Sequence, residues 1–378
     1  MRPGFRRALR LTGRGVAALV VAGLLALALT RTGRYLVRAA WEEGKILLAR
    51  RDIASIVADP ATHPALRGKL RLVLDARAFA VDSVGLDAGE SFTQFTQLER
   101  DTLVLVLSAA PRDRLRFHTW WFPVVGRVPY KGFFSAELAR AEAERLEERG
   151  MDTYLRPASA FSTLGWFNDP LMSSTLRLDS LDLSDTVIHE LLHNSFYAPG
   201  QAVFNESFAN FVGARGAAWF YRTRGDTAAA TEIDRRWADE RLLGAFWTTA
   251  YRALDSAFAQ HPGDSASARD ARLAARDTVY AHLRRVLIDS VGPRLVTRDP
   301  RLLERTRFDN ALLLARRIYL TDLDLFDAVH TREGGDLRRT IARVTELARS
   351  RPDDPYEAVR AWVGEVPLAR GDSTHAER

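Results

Sequence analysis

Two histidines and two glutamates lie within eighteen residues near the middle of the chain, in the stretch VIHELLHNSFYAPGQAVFNESFAN from Val187 to Asn210. On an α-helix, His189 and His193 lie one above the other on the same face, so both imidazoles can reach a single metal ion. Glu190 is rotated by about 100° from His189 and can lie beside the ion without binding it. A zinc hydrolase needs such a carboxylate as a general base next to the water that attacks the substrate.

Glu206 is the candidate for a third ligand, because a catalytic zinc ion usually has three protein ligands and one open position. Pro199 and Gly200 end the first helix. A second helix, predicted to begin near Asn205, would run antiparallel to the first after so short a connection and bring Glu206 to the histidines. The alternative is a glutamate on the surface of a helix. The apolar face of the second helix consists of Phe204, Phe208, Phe211 and Val212.

Three further residues have types that suit a supporting role. Asn210 follows Glu206 by one helical turn and could hydrogen-bond a ligand, or it is an ordinary residue of the helix surface. Tyr319 and Tyr197 are candidates for the donor that stabilises the oxyanion of a tetrahedral intermediate. The alternative for both tyrosines is ordinary packing in the core.

The composition indicates a globular protein and excludes several classes of site. Of the 378 residues, 47% are hydrophobic and 27% are charged, which is typical of a folded chain. Seven of the 54 basic residues lie in residues 1–34, which contain no acidic residue, and the remaining 47 face 48 acidic residues. We therefore predict no nucleic-acid partner. The absence of cysteine excludes disulfides, cysteine-ligated zinc and thiol catalysis.

The N-terminus has the pattern of a targeting segment. Five arginines precede the uncharged run GVAALVVAGLLALALT, from Gly15 to Thr30. We predict that residues 1–34 form an uncleaved transmembrane anchor, through which the protein contacts the membrane, with the bulk of the chain outside the cytoplasm, in a periplasmic or other extracytoplasmic location. The alternative is a signal peptide, whose cleavage would release a secreted protein.

The rest of the chain predicts an α+β fold, with a small mixed or antiparallel sheet followed by a mostly helical body. The body contains the HExxH helix paired with the helix that carries Glu206. Ser174 to Ser180 alternates apolar and polar residues and predicts an edge strand. The predicted division is 1–34 as the anchor or signal segment, 35–350 as a single domain with parts 35–183 and 184–350, and 351–378 as a C-terminal segment with a loose tail.

Several separated motifs together resemble the bacterial putative aminopeptidase family of HExxH zinc metallopeptidases, which are similar to gluzincins. The motifs are LVLDARAFA (Leu72–Ala80), TWWFPVVGRVPYKGFF (Thr119–Phe134), STLGWFNDP (Ser162–Pro170), HELLHNSFY (His189–Tyr197) and FNESFANFVG (Phe204–Gly213). Members often carry a lipoprotein cysteine after the signal segment, which this chain lacks.

The resemblance implies a zinc-dependent peptidase, in which His189, His193 and Glu206 bind Zn²⁺ and Glu190 is the catalytic base. A peptide is then the expected substrate and aminopeptidase the expected activity. The alternative is a non-catalytic envelope scaffold or binding protein that keeps the metallopeptidase fold and its zinc. Glu190 favours the enzyme, because a purely structural zinc site needs no base beside the metal.

Overall fold

The computed structural model describes residues 29–98, 104–122, 126–158 and 170–365. Over these residues the protein is mostly helical with three small sheets, so the predicted α+β class is confirmed. The strands are β1 Arg51–Asp52, β2 Gln94–Thr96, β3 Val104–Pro111, β4 Trp120–Phe122, β5 Gly126–Val128, β6 Tyr130–Phe133, β7 Met151–Ala158 and β8 Leu171–Met172.

The helices follow the same order along the chain. They are α1 Arg31–Leu48, α2 Ile53–Ala58, α3 Pro64–Phe79, α4 Ala136–Glu148, α5 Ser180–Ser195, α6 Ala202–Thr223, α7 Thr227–Ala259, α8 Ala266–Val286, α9 Pro300–Glu304, α10 Asn310–Leu320, α11 Leu323–Arg332, α12 Leu337–Ser350 and α13 Pro355–Glu365. Residues 366–378, which include the predicted loose tail, lie outside the described residues.

The sheet that bears on the site has β3 in its centre, with β6 and β7 paired antiparallel on its two sides. Side chains alternate across a strand, so Leu107 of β3 packs on α4 while Ala110 packs on α10. The register places Tyr130 of β6 opposite Ser108, and Arg156 of β7 opposite Val106. Both residues therefore share the face of Ala110, which looks toward α10.

The other two sheets are smaller, and one prediction for this region is wrong. Strand β2 pairs antiparallel with β1 and parallel with β8, and β4 pairs with β5. The segment predicted as an edge strand instead forms a 3₁₀ turn at Thr175–Arg177, and α5 begins at Ser180. The ammonium group of Lys69 donates to the carbonyl oxygens of Leu176 and Leu178, both at 2.5 Å. A side chain from α3 thus binds carbonyls that a strand would direct to a neighbouring strand.

Helix α6 lies at the centre of the helical body and packs against α5, α7, α10 and α11. Two glycines of α6 allow it to pack closely against α5. A Cβ atom on Gly213 would lie 2.1 Å from Oδ1 of Asp185, and one on Gly216 would lie 2.8 Å from Cγ2 of Ile188. Larger residues would push the two helices apart, so the glycines hold the two halves of the site together.

The prediction of a transmembrane anchor is corrected by the structure. Among the described residues, no helix is both long and apolar enough to span a lipid bilayer. Helix α1, which follows the apolar run, carries Arg34, Arg38, Glu42, Glu43 and Lys45 within 18 residues. The predicted membrane contact, and the envelope location that depended on it, are therefore not supported. Residues 1–28, with most of the apolar run, lie outside the described residues.

Candidate metal centre

The structure brings together the three residues that the sequence predicts as ligands. Nε2 of His189 lies 3.4 Å from Oε2 of Glu206, and Nε2 of His193 lies 3.7 Å from Oε1 of the same carboxylate. The two imidazole rings are nearly perpendicular, with their centroids 5.1 Å apart. One nitrogen or oxygen from each residue lies within 4.8 Å of the other two.

These separations fit a zinc ion. Atoms bound to one tetrahedral zinc ion at 2.0–2.2 Å lie about 3.3–3.6 Å apart, which is close to the distances between Glu206 and the histidines. Two imidazoles and a carboxylate are also a donor set found in catalytic zinc sites. All three side chains are only partly buried, at 13%, 21% and 28% exposure for His189, His193 and Glu206, so a substrate can approach. That they bind a metal ion stays a prediction.

The three side chains also influence each other electrostatically. Burial opposes the charged form of Glu206, but the close approach of His189 and His193 outweighs it and lowers the pKa of Glu206 to about 2. Burial likewise lowers the pKa of His189, but the close approach of Glu206 and the charges of Glu190, Glu206 and Asp185 raise it to about 9. Negative charge therefore accumulates around the imidazoles, and such a site attracts a cation.

Helix α5 positions the histidines. The side chain of Asp179 caps it by accepting from the backbone N–H groups of Leu181 and Asp182, both at 2.9 Å. At its other end, the amide of Asn194 donates to Oγ of Ser91 at 2.9 Å. Glu190 lies in the middle of this helix, is partly buried and acts on the pKa of His189. Its carboxylate is thus within electrostatic reach of the cluster, as a general base must be.

The turn between α5 and α6 is held by Asn205. Its side-chain amide donates to the carbonyl of Ala198 and its carbonyl oxygen accepts from the N–H of Ala198, both at 2.9 Å. Asn205 is only 2% exposed, so the two bonds are protected from water. They fix the first turn of α6, and Glu206 is the next residue.

Tyr319 lies at the end of α10 beside α6. The side-chain amide of Asn210 donates to the backbone oxygen of Tyr319 at 2.7 Å, and Ser207 donates to that of Ile318 at 3.3 Å. Burial, followed by the charge of Glu206, raises the pKa of Tyr319 to about 12. Asn210 was predicted to hydrogen-bond a metal ligand. Its side chain instead binds the backbone oxygen of Tyr319.

The two other tyrosines near the cluster differ in their exposure. Tyr197, which the sequence suggested, is 61% exposed. Tyr130, which sequence reasoning missed, is 41% exposed. The pKa of Tyr130 is raised by burial and then by the charges of Glu206 and Tyr197. The charge of Glu206 thus acts on Tyr130, which lies in β6 of the sheet.

Arg156 was also missed. Its guanidinium donates to the phenolic oxygen of Tyr319 at 3.1 Å and lies 5.4 Å from the centre of that ring. No sequence motif identifies it, because its partner Tyr319 lies 163 residues further along the chain. The sequence gives one signal. Arg156 lies in a predicted strand, which is followed by a turn-rich segment and then by the histidines.

The fold and the site together define an α+β protein in which paired helices form a His₂Glu cluster with a further glutamate beside it. A family model described as putative aminopeptidase matches residues 34–358. The chain belongs to this family, and the membership indicates a peptidase. Neither the comparison with curated proteins nor the comparison with solved structures gave a match.

Proposed function

We propose that the protein is a zinc-dependent peptidase of the gluzincin type, with His189, His193 and Glu206 as zinc ligands and Glu190 as the general base. The observation that supports it most is the approach of Glu206 to both histidines, at 3.4 and 3.7 Å. Membership in the putative aminopeptidase family supports the same activity. An intact glutamate directly after the first histidine favours catalysis over a purely structural metal site.

Zinc, when bound, supplies Lewis-acid chemistry that makes water a nucleophile near neutral pH and polarises the scissile carbonyl. Glu190 accepts the proton of the attacking water and later transfers it to the nitrogen of the leaving amine. The phenol of Tyr319, which is protonated at neutral pH like that of an ordinary tyrosine, donates to the oxyanion. Asn210 holds Tyr319 in place through its backbone oxygen.

The test combines metal analysis with a peptide digest. The purified chain should contain about one zinc ion per molecule, as expected for a three-ligand site with one open position. It should cleave members of a peptide library, lose that activity to a chelator and recover it with added zinc. Zinc without cleavage of any peptide would favour the alternative, a non-catalytic zinc-bound scaffold. Cleavage that survives complete removal of metal would contradict the proposal.

A further inference from the structure

Arg156 is a cation on the sheet face beside the candidate metal centre. It shares that face with Tyr130, and the charges of both Arg156 and Glu206 act on the pKa values of Tyr130 and Tyr319. Its guanidinium also lies against the ring of Tyr319 and binds the phenolic oxygen. Because Asn210, one helical turn after Glu206, binds the backbone oxygen of Tyr319, the bond to Tyr319 places the positive charge of Arg156 beside the cluster.

The guanidinium of Arg156 has no carboxylate partner among residues 29–98, 104–122, 126–158 and 170–365. Its side chain is nevertheless partly buried. An arginine has five N–H donors in a planar fork that matches a carboxylate, and the bond to Tyr319 uses one of them. A partly buried cation whose other donors bind no described residue is poised to bind an anion.

The net charge of the site with zinc bound also favours an anion at Arg156. The two positive charges of the ion would be offset by Glu206 and Glu190, which leaves the charge of Arg156 in excess. A substrate that brings one carboxylate would neutralise it. The charge-assisted bond would be favourable because the guanidinium is already held in place by Tyr319.

We propose that Arg156 is a specificity-determining residue that binds a carboxylate of the peptide substrate. The inference rests on the proposed peptidase function and adds a substrate class, which is short peptides with a free C-terminal carboxylate. A carboxylate on an acidic side chain has the same chemistry, so the experiment separates the two sources.

The first test measures binding without turnover. In the full-length, zinc-loaded Glu190→Gln variant, trialanine should bind at least about 10-fold more tightly than trialaninamide, since a hydrogen bond to a charged group contributes on the order of 1.5–3 kcal/mol. Adding Arg156→Met should bring the ratio of the two dissociation constants close to one. Arg156→Lys should keep part of it, because the charge remains without the fork. The matched control Arg140→Met removes an exposed arginine of α4 and should leave the ratio unchanged.

A second pair of peptides, Ala-Asp-Ala-amide and Ala-Asn-Ala-amide, identifies the source of the carboxylate. Preference for free trialanine over its amide supports the C-terminal carboxylate, whereas preference for Asp over Asn alone assigns Arg156 to an acidic side chain and overturns the substrate class. Ratios near one for both pairs, or ratios that survive Arg156→Met in a folded, zinc-containing variant, overturn the assignment of Arg156. These ratios are measured by calorimetry and do not need catalysis. Failure of the wild-type protein to cleave any peptide would therefore contradict the peptidase proposal separately.

Discussion

Asp152 and Arg156 lie on the same face of β7, four residues apart, yet the two charges have very different surroundings. Asp152 is 1% exposed and has three short bonds. Arg276 contacts it at 2.7 Å, Arg112 at 3.2 Å, and the backbone N–H of Asn310 donates to it at 2.9 Å. Among the described residues, the one hydrogen-bond partner of the Arg156 side chain is the phenolic oxygen of Tyr319, at 3.1 Å.

The two ends of α10 account for this contrast. Asp152 binds the first residue of α10, where it closes the contact between sheet and helical body. Arg156 binds Tyr319 near the last residue, where the candidate metal centre begins. Within the described ranges, Asp152 is paired with two arginines, whereas Arg156 has no carboxylate partner. The difference between these two charges supports the proposal that Arg156 binds a group from outside the protein.

The largest effect is expected at Glu190. Glu190→Gln should lower kcat for peptide hydrolysis by about 100- to 10,000-fold, because the amide cannot accept the proton of the attacking water. Zinc content and the unfolding midpoint should stay at the wild-type values. Glu144→Gln, in an exposed position of α4, is the matched control and should keep full activity. Near-normal kcat in Glu190→Gln would remove Glu190 from the mechanism.

At the opposite end of α10, the expected loss is in stability. Asp152→Asn removes the buried charge that pairs with Arg276 and Arg112, and breaking a buried pair in this way costs about 3–5 kcal/mol. Urea unfolding measures the difference. Asp264→Asn breaks the exposed contact with Arg114 and should cost less than about 1 kcal/mol. The comparison fails if Asp152→Asn changes zinc content in the folded protein but not its free energy of unfolding.

Unlike Asp152→Asn, Glu206→Ala should lower zinc affinity strongly and stability only slightly. The affinity for zinc should fall by more than about 100-fold, since loss of a residue behind a ligand already costs 10- to 100-fold. The zinc-free protein should lose less stability than Asp152→Asn does, because the charged partners of Glu206 among the described residues are the two histidines and its side chain is partly exposed. Zinc titration with a competing chelator measures the affinity. Unchanged affinity would exclude Glu206 as a ligand.

A smaller effect is expected where α5 and α6 approach each other. Gly213→Ala places a methyl group 2.1 Å from the carboxylate of Asp185, and such overpacking costs about 1–3 kcal/mol. Zinc affinity should fall too, because the shift moves His189 away from Glu206. Gly68→Ala lies in the exposed middle of α3 with nothing within 4 Å and should stabilise the protein by about 0.5–1 kcal/mol. Equal effects of the two substitutions on urea unfolding would contradict this view of the helix contact.

The smallest effect is expected at Asn210. Asn210→Ala removes one hydrogen bond to the backbone of Tyr319, which is worth about 1 kcal/mol. A decrease in kcat of about tenfold with unchanged zinc content is expected if the bond positions Tyr319 during catalysis. Thr278→Ala, which removes one side-chain bond to a backbone oxygen in an exposed part of α8, serves as the control and should keep the wild-type kcat. A loss of zinc from Asn210→Ala would show that Asn210 supports the ligands directly.

The local part of the site could be predicted from the sequence. His189, His193 and Glu206 lie on two helices joined by a short turn, so their spacing and the apolar faces determine that they meet. Asn205 was expected only to begin the second helix, whereas its side chain holds the turn through Ala198.

The parts that depend on distant contacts could not be predicted. Arg156 and Tyr130 reach the site because of strand register and the packing of α10 on the sheet, neither of which leaves a local pattern. The alternation in Ser174–Ser180 was misleading because Lys69 binds the carbonyls there. The transmembrane interpretation relied on hydropathy in residues 1–34, and the described helix that follows is charged along its length.

The turn held by Asn205 has a consequence for the order of folding. A hairpin of two helices closes a small loop, and loop closure costs more entropy as the loop grows. Contacts within the hairpin can therefore form early. The contact from β7 to α10 joins residues 163 positions apart, and contacts of such long sequence separation slow folding. We expect the cluster of His189, His193 and Glu206 to assemble before Arg156 and Tyr319 come together.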